Sequence, residues 1–419
     1  MRRWLLVALC NIGVIVLFLG LAEVAGRIAF PCALSAPRFP SSFVPGLGTL
    51  NEPNALVLDT NGFDYCVEQR VNSLGFLDTE PPAWSSIKDK LRVALVGDSV
   101  VEGSTVRPEQ KLQNRLHSYL AAAGVDAHVS AWGKSGYGQV QELAAFEKFA
   151  LPLHPNIVVI VIVYNDLKNN SWLLEALQDG YLPNTPYNVE IRPVLPESYV
   201  WEVVEPRPGN VELLPHGTPQ KQPLWAQLLK RHSALYGYAV YLASWNYPRV
   251  LAMLTGEVPN NPLPERIRYL SRDPEIAPLL VGWPADIDVD HIDLAFEHHP
   301  WPSALDLAVR ATAYIMDRWV ALSRREGFKL VALLRSEQDG YFAQAAAWRR
   351  ILEQRDIPII SEREFLAKHK YNPEARHFLR DGHWSAQGHR WAAESIAEFL
   401  LQQRQEYLIP YGAVPLSSH

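Results

Sequence analysis

The stretch Asn156-Ile-Val-Val-Ile-Val-Ile-Val163 constrains this chain more than any other. Its β-branched run has no polar face to turn toward water. A strand of that kind is stable when both of its faces are covered, as in parallel sheets flanked by helices. Leu91-Arg-Val-Ala-Leu-Val96 reads as a second buried strand and Val125 to Ser130 as a third. Between them, a segment containing Gln110 to Ala123 and the segment Gln139 to Leu151 have helical periodicity. Strand, helix, strand, helix, strand predicts a parallel α/β sheet with right-handed crossovers. The rhythm breaks over about 171–300, which is rich in Pro, Trp and Tyr and carries one expected helix, Leu224 to Leu242. That stretch reads as an insertion or cap beside the sheet. The rhythm resumes with a helix from Ala304 to Glu326, strands from Phe328 to Leu334 and Ile357 to Ile360, and a closing helix from Ser385 to Leu401. Residues 402–419 form a C-terminal tail.

The N-terminus is of another kind. Arg2 and Arg3 precede an apolar run from Trp4 to Ala22, and Glu23 and Arg27 end it. At about 1.5 Å per residue the run spans about 28 Å, close to the hydrocarbon thickness of a bilayer. The expectation for residues 1–30 is a signal anchor, with a cleaved signal peptide as the competing reading. The leading arginines predict a cytoplasmic N-terminus and place the rest in the periplasm or outside the cell. Cys10 falls in the membrane run, whereas Cys32 and Cys66 would lie on the oxidising side, where they could pair. Residues 31–90 read as an extended, proline-containing lead-in.

Composition narrows the function classes. The 419 residues leave room for two or three units or one enlarged α/β domain. With 48% hydrophobic and 20% charged residues, disorder as the main state is excluded. A net charge of −6 argues against a general nucleic-acid grip, which needs clustered positive charge. Three cysteines are too few for a disulfide scaffold or a four-cysteine zinc site. The 13 Trp and 32 Pro suggest long ordered loops and aromatic surfaces.

Four short segments carry chemistry, each at a strand end or on the loop before a helix. Gly97-Asp98-Ser99 follows the first sheet strand, at the edge where open α/β sheets bind ligands. A serine there exposes its Oγ, and its N–H sits at the positive end of a helix dipole. Ser135-Gly136-Tyr137-Gly138 follows the next strand, and its glycines allow a backbone N–H to approach a reacting atom closely. Tyr164-Asn165-Asp166 follows the strongest strand; an amide donor there can hold a developing oxyanion without titrating, or can simply cap the next helix. Asp381-Gly382-His383-Trp384 lies on an extended loop before the closing helix. Its carboxylate can fix the tautomer of the histidine, leaving the other ring nitrogen to take a serine proton. His389, after Gly388, falls inside the helix and reads as a packing residue.

This ordered set resembles the SGNH hydrolases, also called GDSL-type esterases and lipases. The matching stretches are Val96-Gly97-Asp98-Ser99 with Gly103 following, Gly133-Lys134-Ser135-Gly136-Tyr137-Gly138, Val163-Tyr164-Asn165-Asp166 and Asp381-Gly382-His383. Asn72-Ser73-Leu74-Gly75-Phe76 is similar to a lead-in of membrane-anchored bacterial members. The resemblance covers residues 91–170 and about 300–401, within an SGNH-like domain of residues 91–401. It implies a flavodoxin-like three-layer sandwich and a serine nucleophile, Ser99. It further implies an oxyanion hole from Ser99 N–H, Gly136 N–H and the Asn165 side chain, with His383 as general base and Asp381 orienting it. Val163 and Ala131 depart from the family's usual Gly and Asn, and the Asp–His spacing is shorter than usual, which leaves open a Ser–His pair. No G-x-S-x-G elbow is present, against the α/β-hydrolase family.

The resulting expectation is a serine esterase acting outside the cytoplasm on ester groups, such as O-acetyl groups of a polysaccharide or esters of a lipid. The alternatives are an O-acyltransferase that passes the acyl group to a sugar hydroxyl and an inactive glycan-binding scaffold. No cofactor and no nucleic-acid partner is expected. Asp286, Asp288, Asp290 and Glu297 match calcium-loop spacing, but His291 occupies the position where the turn wants Gly, so the cluster reads as a solvated acidic loop. His298-His299 lacks a third ligand at a recognisable spacing, so no metal is expected.

Overall fold

The computed structural model describes residues 2–44, 47–179, 181–182, 189–195, 198–203, 212–213, 223–255, 263–274, 276–284, 287, 289–335, 341–378 and 381–408. Helix α1 (Arg2–Ala29) comes first. From Arg3 to Ala29 it is long and apolar enough to cross a membrane, and the protein covers none of its apolar run. The lead-in is not merely extended. It folds into two antiparallel hairpins, β1 (Ser41–Val44) with β2 (Gly48–Asn51) and β3 (Leu56–Thr60) with β4 (Cys66–Arg70), followed by the short helix α2 (Trp84–Ile87). In the β3–β4 turn, Asn61 Oδ1 accepts from the N–H groups of Phe63 and Asp64 at 3.1 and 2.8 Å, the side-chain-to-backbone closure that Asn-Gly turns favour. Cys32 and Cys66 form a disulfide with a Cα–Cα distance of 6.0 Å.

The sheet then builds in the expected alternation. β5 (Leu91–Gly97) leads into α3 (Ser99–Glu102) and α4 (Leu112–Ala122). β6 (Ala127–Gly133), α5 (Gln139–Ala145), β7 (Ile157–Ile162), α6 (Asp166–Asn169) and α7 (Trp172–Asp179) follow. Next come two antiparallel strand pairs, β8 (Tyr181–Leu182) with β11 (Glu212–Leu213) and β9 (Val189–Leu195) with β10 (Ser198–Val203). Helices α8 (Leu224–His232), α9 (Ala234–Asn246), α10 (Pro248–Thr255) and α11 (Leu263–Leu270) complete this stretch. The chain returns through α12 (Ser303–Glu326), β12 (Lys329–Leu334), α13 (Phe342–Glu353), β13 (Ile359–Ser361) and α14 (Glu362–His369). It ends in a hairpin of β14 (His377–Phe378) and β15 (Asp381–Trp384), then α15 (Ala386–Gln402).

The central sheet has the order β13-β12-β7-β5-β6, and every neighbouring pair is parallel. Connections from β5 run outward to β6 on one side, whereas β7 and the later strands extend the sheet the other way. The carboxyl ends of β5 and β7 therefore form the switch point at which doubly wound sheets open a crevice. β7 is fully buried, and its side chains alternate between two cores. Val158, Ile160 and Ile162 join one core, with Phe146, Trp319 and Trp348 among its largest members. Ile157, Val159 and Val161 join the other, with Leu112, Leu116 and Leu120 of α4 and Ile396 and Leu400 of α15. Each buried aliphatic side chain of this kind contributes about 1.5–3 kcal/mol relative to exposure.

Three expectations need correction. The helix from Leu224 to Leu242 is two helices, because Ser233 adopts an extended conformation at φ −126° and its Oγ accepts from Tyr236 N–H as the cap of α9. The ends of the insertion belong to the core: Leu173, Leu174 and Leu177 of α7, and Leu270, Ile292 and Phe296 further on, pack in the Val158–Ile160 layer. The acidic cluster is also not a solvated loop throughout, since Val289–Glu297 is a 3-10 helix and the Glu297 carboxylate accepts from Ala343 N–H at the start of α13. Asp286 and Asp288 lie outside the described residues. Among the described residues, no three His, Cys, Asp or Glu side chains converge as metal ligands.

Burial of β7 on both faces gives a direct test. Ile160→Ala should cost about 2–5 kcal/mol of unfolding free energy, through lost burial and a residual cavity. Leu56→Ala, at a position 39% exposed, should change it by no more than about 0.5 kcal/mol. Urea titrations of the two variants read the difference directly.

Candidate active site

Three of the four chemical segments meet at the switch point. Ser99 is the first residue of α3, and Asp98 caps that helix by accepting from Val100 N–H at 3.1 Å. Gly97 lets the helix start close to the sheet: a Cβ there would lie 2.5 Å from Val101 Cγ2. Ser99 Oγ donates a long hydrogen bond to Asp98 Oδ2 at 3.4 Å. On the neighbouring strand end, Asn165 does not cap α6 with its side chain. Its Nδ2 instead donates to the same Asp98 oxygen at 3.1 Å, which orients the amide beside Ser99. Asp98 is buried; burial pushes its carboxyl up, opposed by the Val100 N–H, Asn165 and the charges of His383 and Arg335. Behind Asn165, Asp166 Oδ2 accepts from Val163 N–H at 2.8 Å, closing the turn from β7.

The loop after β6 is held by one buried carboxylate. Glu102, the last residue of α3, accepts from Ser135 Oγ at 2.5 Å, Ser135 N–H at 2.9 Å and Asn51 Nδ2 at 2.9 Å, and pairs with Lys134 Nζ at 3.3 Å. Burial opposes its charge, but Lys134 and these donors together hold the carboxyl below its ordinary value. Ser135 is therefore a structural residue. Gly136 follows it at φ +79°, a left-handed conformation that glycine adopts without strain, with open space where a side chain would stand. Among the described residues, nothing accepts from the N–H groups of Ser99 or Gly136. The N–H of Ser99 at the start of α3, the N–H of Gly136 on the loop after β6 and the Asn165 amide are thus the donors that these segments offer.

The Asp381–His383 segment is a strand, β15, rather than an extended loop, because it pairs with β14. It packs against α3. His383 Nδ1 bonds Asp381 Oδ1 at 2.6 Å, and the same oxygen accepts from His383 N–H at 2.8 Å. The shortened spacing therefore still brings carboxylate and ring together. Burial acts against the Asp381 charge, yet the bonds to His383 and the hydroxyl of Tyr65 draw its carboxyl down to about 2. Desolvation lowers the His383 pKa, and the Asp381 bond and charge more than reverse this, leaving it raised. The His383 side chain remains 39% exposed. The structure records no bond between His383 and Ser99; in this state the serine hydroxyl points at Asp98.

His389 is elsewhere in character. It is buried in α15, its Nδ1 accepts from Leu112 N–H at 3.2 Å, and its ring meets Trp384 edge-on. Burial above all, with nearby Lys111, depresses it to about 3, so it stays neutral.

Tyr65 was not singled out in the sequence. Its hydroxyl donates to Asp381 Oδ2 at 2.8 Å across 316 residues, and its ring packs on Phe378 at 4.8 Å. Burial and the neighbouring carboxylates push its pKa well up, so it remains a donor. The Asn61-Gly62 pair marks a turn just before it, but nothing in the sequence names its partner. Two further aromatics, Tyr164 and Tyr341, stack at 4.6 Å; a Cβ on Gly382 would come within 4.0 Å of Tyr164 Oη.

A scan against protein-family models and a search of curated proteins both find no match. Solved structures similar to this chain include a Clostridium thermocellum family 3 carbohydrate esterase, at 10% identity and TM-score 0.37, covering 76% of this chain and 99% of that one. An acetyl xylan esterase, AlAXEase, matches at 12% identity and TM-score 0.33, covering 74% and 99%. A lipase/acylhydrolase from Enterococcus faecalis matches at 11% identity and TM-score 0.34, covering 74% and 96%. Likeness at this level assigns no activity; the chemistry is read from Ser99, His383 and their neighbours.

Two predictions follow from the geometry. Substitution His383→Ala should abolish turnover with a near-normal melting temperature. His389→Ala should retain turnover but lose about 1–3 kcal/mol by orphaning Leu112 N–H. In Asp381→Asn, the influence that raises the His383 pKa is gone, so the acidic limb of the rate profile should move to lower pH while kcat falls. The second concerns Tyr65→Phe, which removes one charge-assisted bond to Asp381. It should lower kcat about tenfold, the equivalent of about 1.4 kcal/mol, without unfolding the protein. Rates and melting curves measured on one ester substrate check all four variants.

Proposed function

We propose that this chain is a serine ester hydrolase of the SGNH type, held by α1 in a membrane with its catalytic domain outside the cytoplasm. The observation that carries the reading is the convergence of a helix-start serine, two unpaired backbone N–H donors, an oriented Asn amide and an Asp-bound histidine at one sheet edge. The resemblance of the four motifs to SGNH hydrolases agrees with it.

The reaction runs as follows on this reading. Ser99 Oγ rotates from Asp98 toward His383 Nε2, gives up its proton and attacks the ester carbonyl carbon. The carbonyl oxygen becomes an oxyanion, held by the N–H groups of Ser99 and Gly136 and by the Asn165 amide hydrogen not engaged with Asp98. Asp381 keeps Nδ1 protonated and stabilises the imidazolium. Collapse breaks the ester C–O bond, and the leaving alcohol takes the proton from His383 Nε2. Water then gives a proton to His383 and adds to the acyl carbon; collapse breaks the bond to Ser99 Oγ, which takes that proton back from His383, releasing the acid and free Ser99. The expected substrates are O-acylated polysaccharides or other esters of the cell envelope. If a sugar hydroxyl enters in place of water, the same intermediate yields acyl transfer.

A fluorophosphonate probe should label Ser99 alone, and Ser99→Ala should abolish labelling while preserving the fold. Incubation with an acetylated glycan and with a chromogenic acetyl ester should release free acetate. Persistent labelling of Ser99→Ala removes this serine from the mechanism, and acetylated acceptor without free acetate makes the protein a transferase.

A further inference from the structure

Helices α8 and α10 leave apolar side chains exposed. In α8, Leu224, Trp225, Leu228 and Leu229 are 70%, 49%, 50% and 41% exposed. At the helical period these four fall on one arc, while Ala226 is buried on the protein side and Arg231 stands at the edge of the arc next to Leu224. In α10, Val250 and Met253 share a face and are 45% and 79% exposed. Both helices are tied to Tyr236 of α9: the Trp225 ring meets its ring edge-on at 6.5 Å, and its hydroxyl donates to Leu254 O at 2.5 Å.

The end of α1 fixes where this face lies. Glu23 accepts from Ser233 Oγ and from the N–H groups of Ala234 and Leu235 at 2.8, 2.9 and 3.0 Å, so it caps α9. Arg27 Nη2 donates to His232 O, the last residue of α8, at 2.6 Å. Beyond them, Phe30 stacks on Tyr238 of α9 at 5.1 Å. The end of α8 is therefore joined to the turn of α1 that follows the apolar run. With Trp4–Ala22 in hydrocarbon, Glu23 and Arg27 stand in the headgroup layer, and the end of α8 and the start of α9 stand beside them.

We propose that α8 and α10 lie on the bilayer that α1 crosses. Leu224, Trp225, Leu228 and Met253 dip into the headgroup–acyl boundary, and Arg231 lies beside anionic phospholipid headgroups. The proposal rests on reading α1 as a membrane anchor. Three observations choose lipid over a protein as occupant: continuity with the spanning helix, a tryptophan on the apolar arc of a helix joined to it, and the Arg231 cation at the edge of that arc. Four hydrogen bonds to Glu23 and Arg27 of α1, with the ring packing of Trp225 on Tyr236, tie α8 and α9 to the end of α1. The catalytic domain would then rest at a set height above the lipid surface rather than swing on a tether.

The test uses the full chain carrying Cys10→Ser, reconstituted into vesicles of phosphatidylcholine and phosphatidylglycerol. Nitroxide labels are placed singly at Leu228→Cys, Met253→Cys and Val14→Cys. At Leu228 and Met253, collisions with oxygen should exceed those with a water-soluble nickel chelate several-fold, approaching the ratio at Val14. Omitting phosphatidylglycerol should raise the nickel accessibility of both platform sites. A lipid-like ratio at Val14 with nickel-accessible labels at Leu228 and Met253 overturns the docking and leaves the anchor standing. A nickel-accessible Val14 overturns the anchor reading itself. Labels at Leu228 and Met253 shielded from both reagents indicate a protein on this face and likewise overturn the proposal.

Discussion

The Glu102 carboxylate is the contact on which the arrangement of the site depends. It is buried, so its charge is stable only because Lys134, Asn51 and Ser135 surround it. It ends the short helix that Ser99 begins. A single side chain thus sets the distance between the proposed nucleophile and the loop that presents Gly136 N–H. That loop needs no rigidity of its own. The helix is also pressed onto the end of β6, where a Cβ on Gly133 would lie 2.4 Å from Glu102 N. Removing one member of such a buried pair costs about 3–5 kcal/mol, because the other charge is left without a partner. Asn51 extends the same cluster to the lead-in, so the hairpins before the sheet take part in shaping the site.

Sheet order supplies the remaining geometry. β5 and β7 are adjacent, yet the chain leaves them for opposite edges of the sheet. The loops that follow them diverge and open the space into which Ser99 and Asn165 project. Asp98 then joins the two, accepting from both side chains. His383 arrives from the far end of the sequence on a two-stranded hairpin, held by Arg335, which donates to Gly382 O and stands over the Trp384 ring at 5.6 Å.

What could be read from the sequence was whatever local pattern decides. The Ile157–Val163 run has one physical solution, burial on both faces, and the rest of the sheet follows from its neighbours. Ser99, Gly136, Asn165 and His383 were legible because each stands at a strand end or before a helix. Their mutual contacts were not. Tyr65 reaches Asp381 only through the fold, and the role of Ser135 depends on a glutamate from another loop. The break at Ser233 was missed although Lys230-Arg231-His232 precede it, because helix-forming residues resume at once with Ala234 and Leu235, and a cap is chosen by the partner it finds, here Glu23. The insertion was drawn too wide for a similar reason: the apolar residues of α7 resemble those of a cap until the core they enter is known.

The turn from Phe63 to Cys66 spends each of its residues on a different partner. Phe63 packs on Phe30 and Tyr241, Asp64 accepts from Tyr241 Oη, Tyr65 holds Asp381, and Cys66 is bonded to Cys32. Seen as a mechanical linkage, this turn is the joint between α1 and the α/β body. The disulfide bridges a sequence separation of 34 residues, so a pull on α1 enters the body at Cys66 instead of first straightening β1 to β3. The load arrives one residue from the hydroxyl that steadies Asp381, the carboxylate proposed to orient His383. Shear along the surface that carries α1 would therefore be felt at Asp381 before it disturbed the sheet.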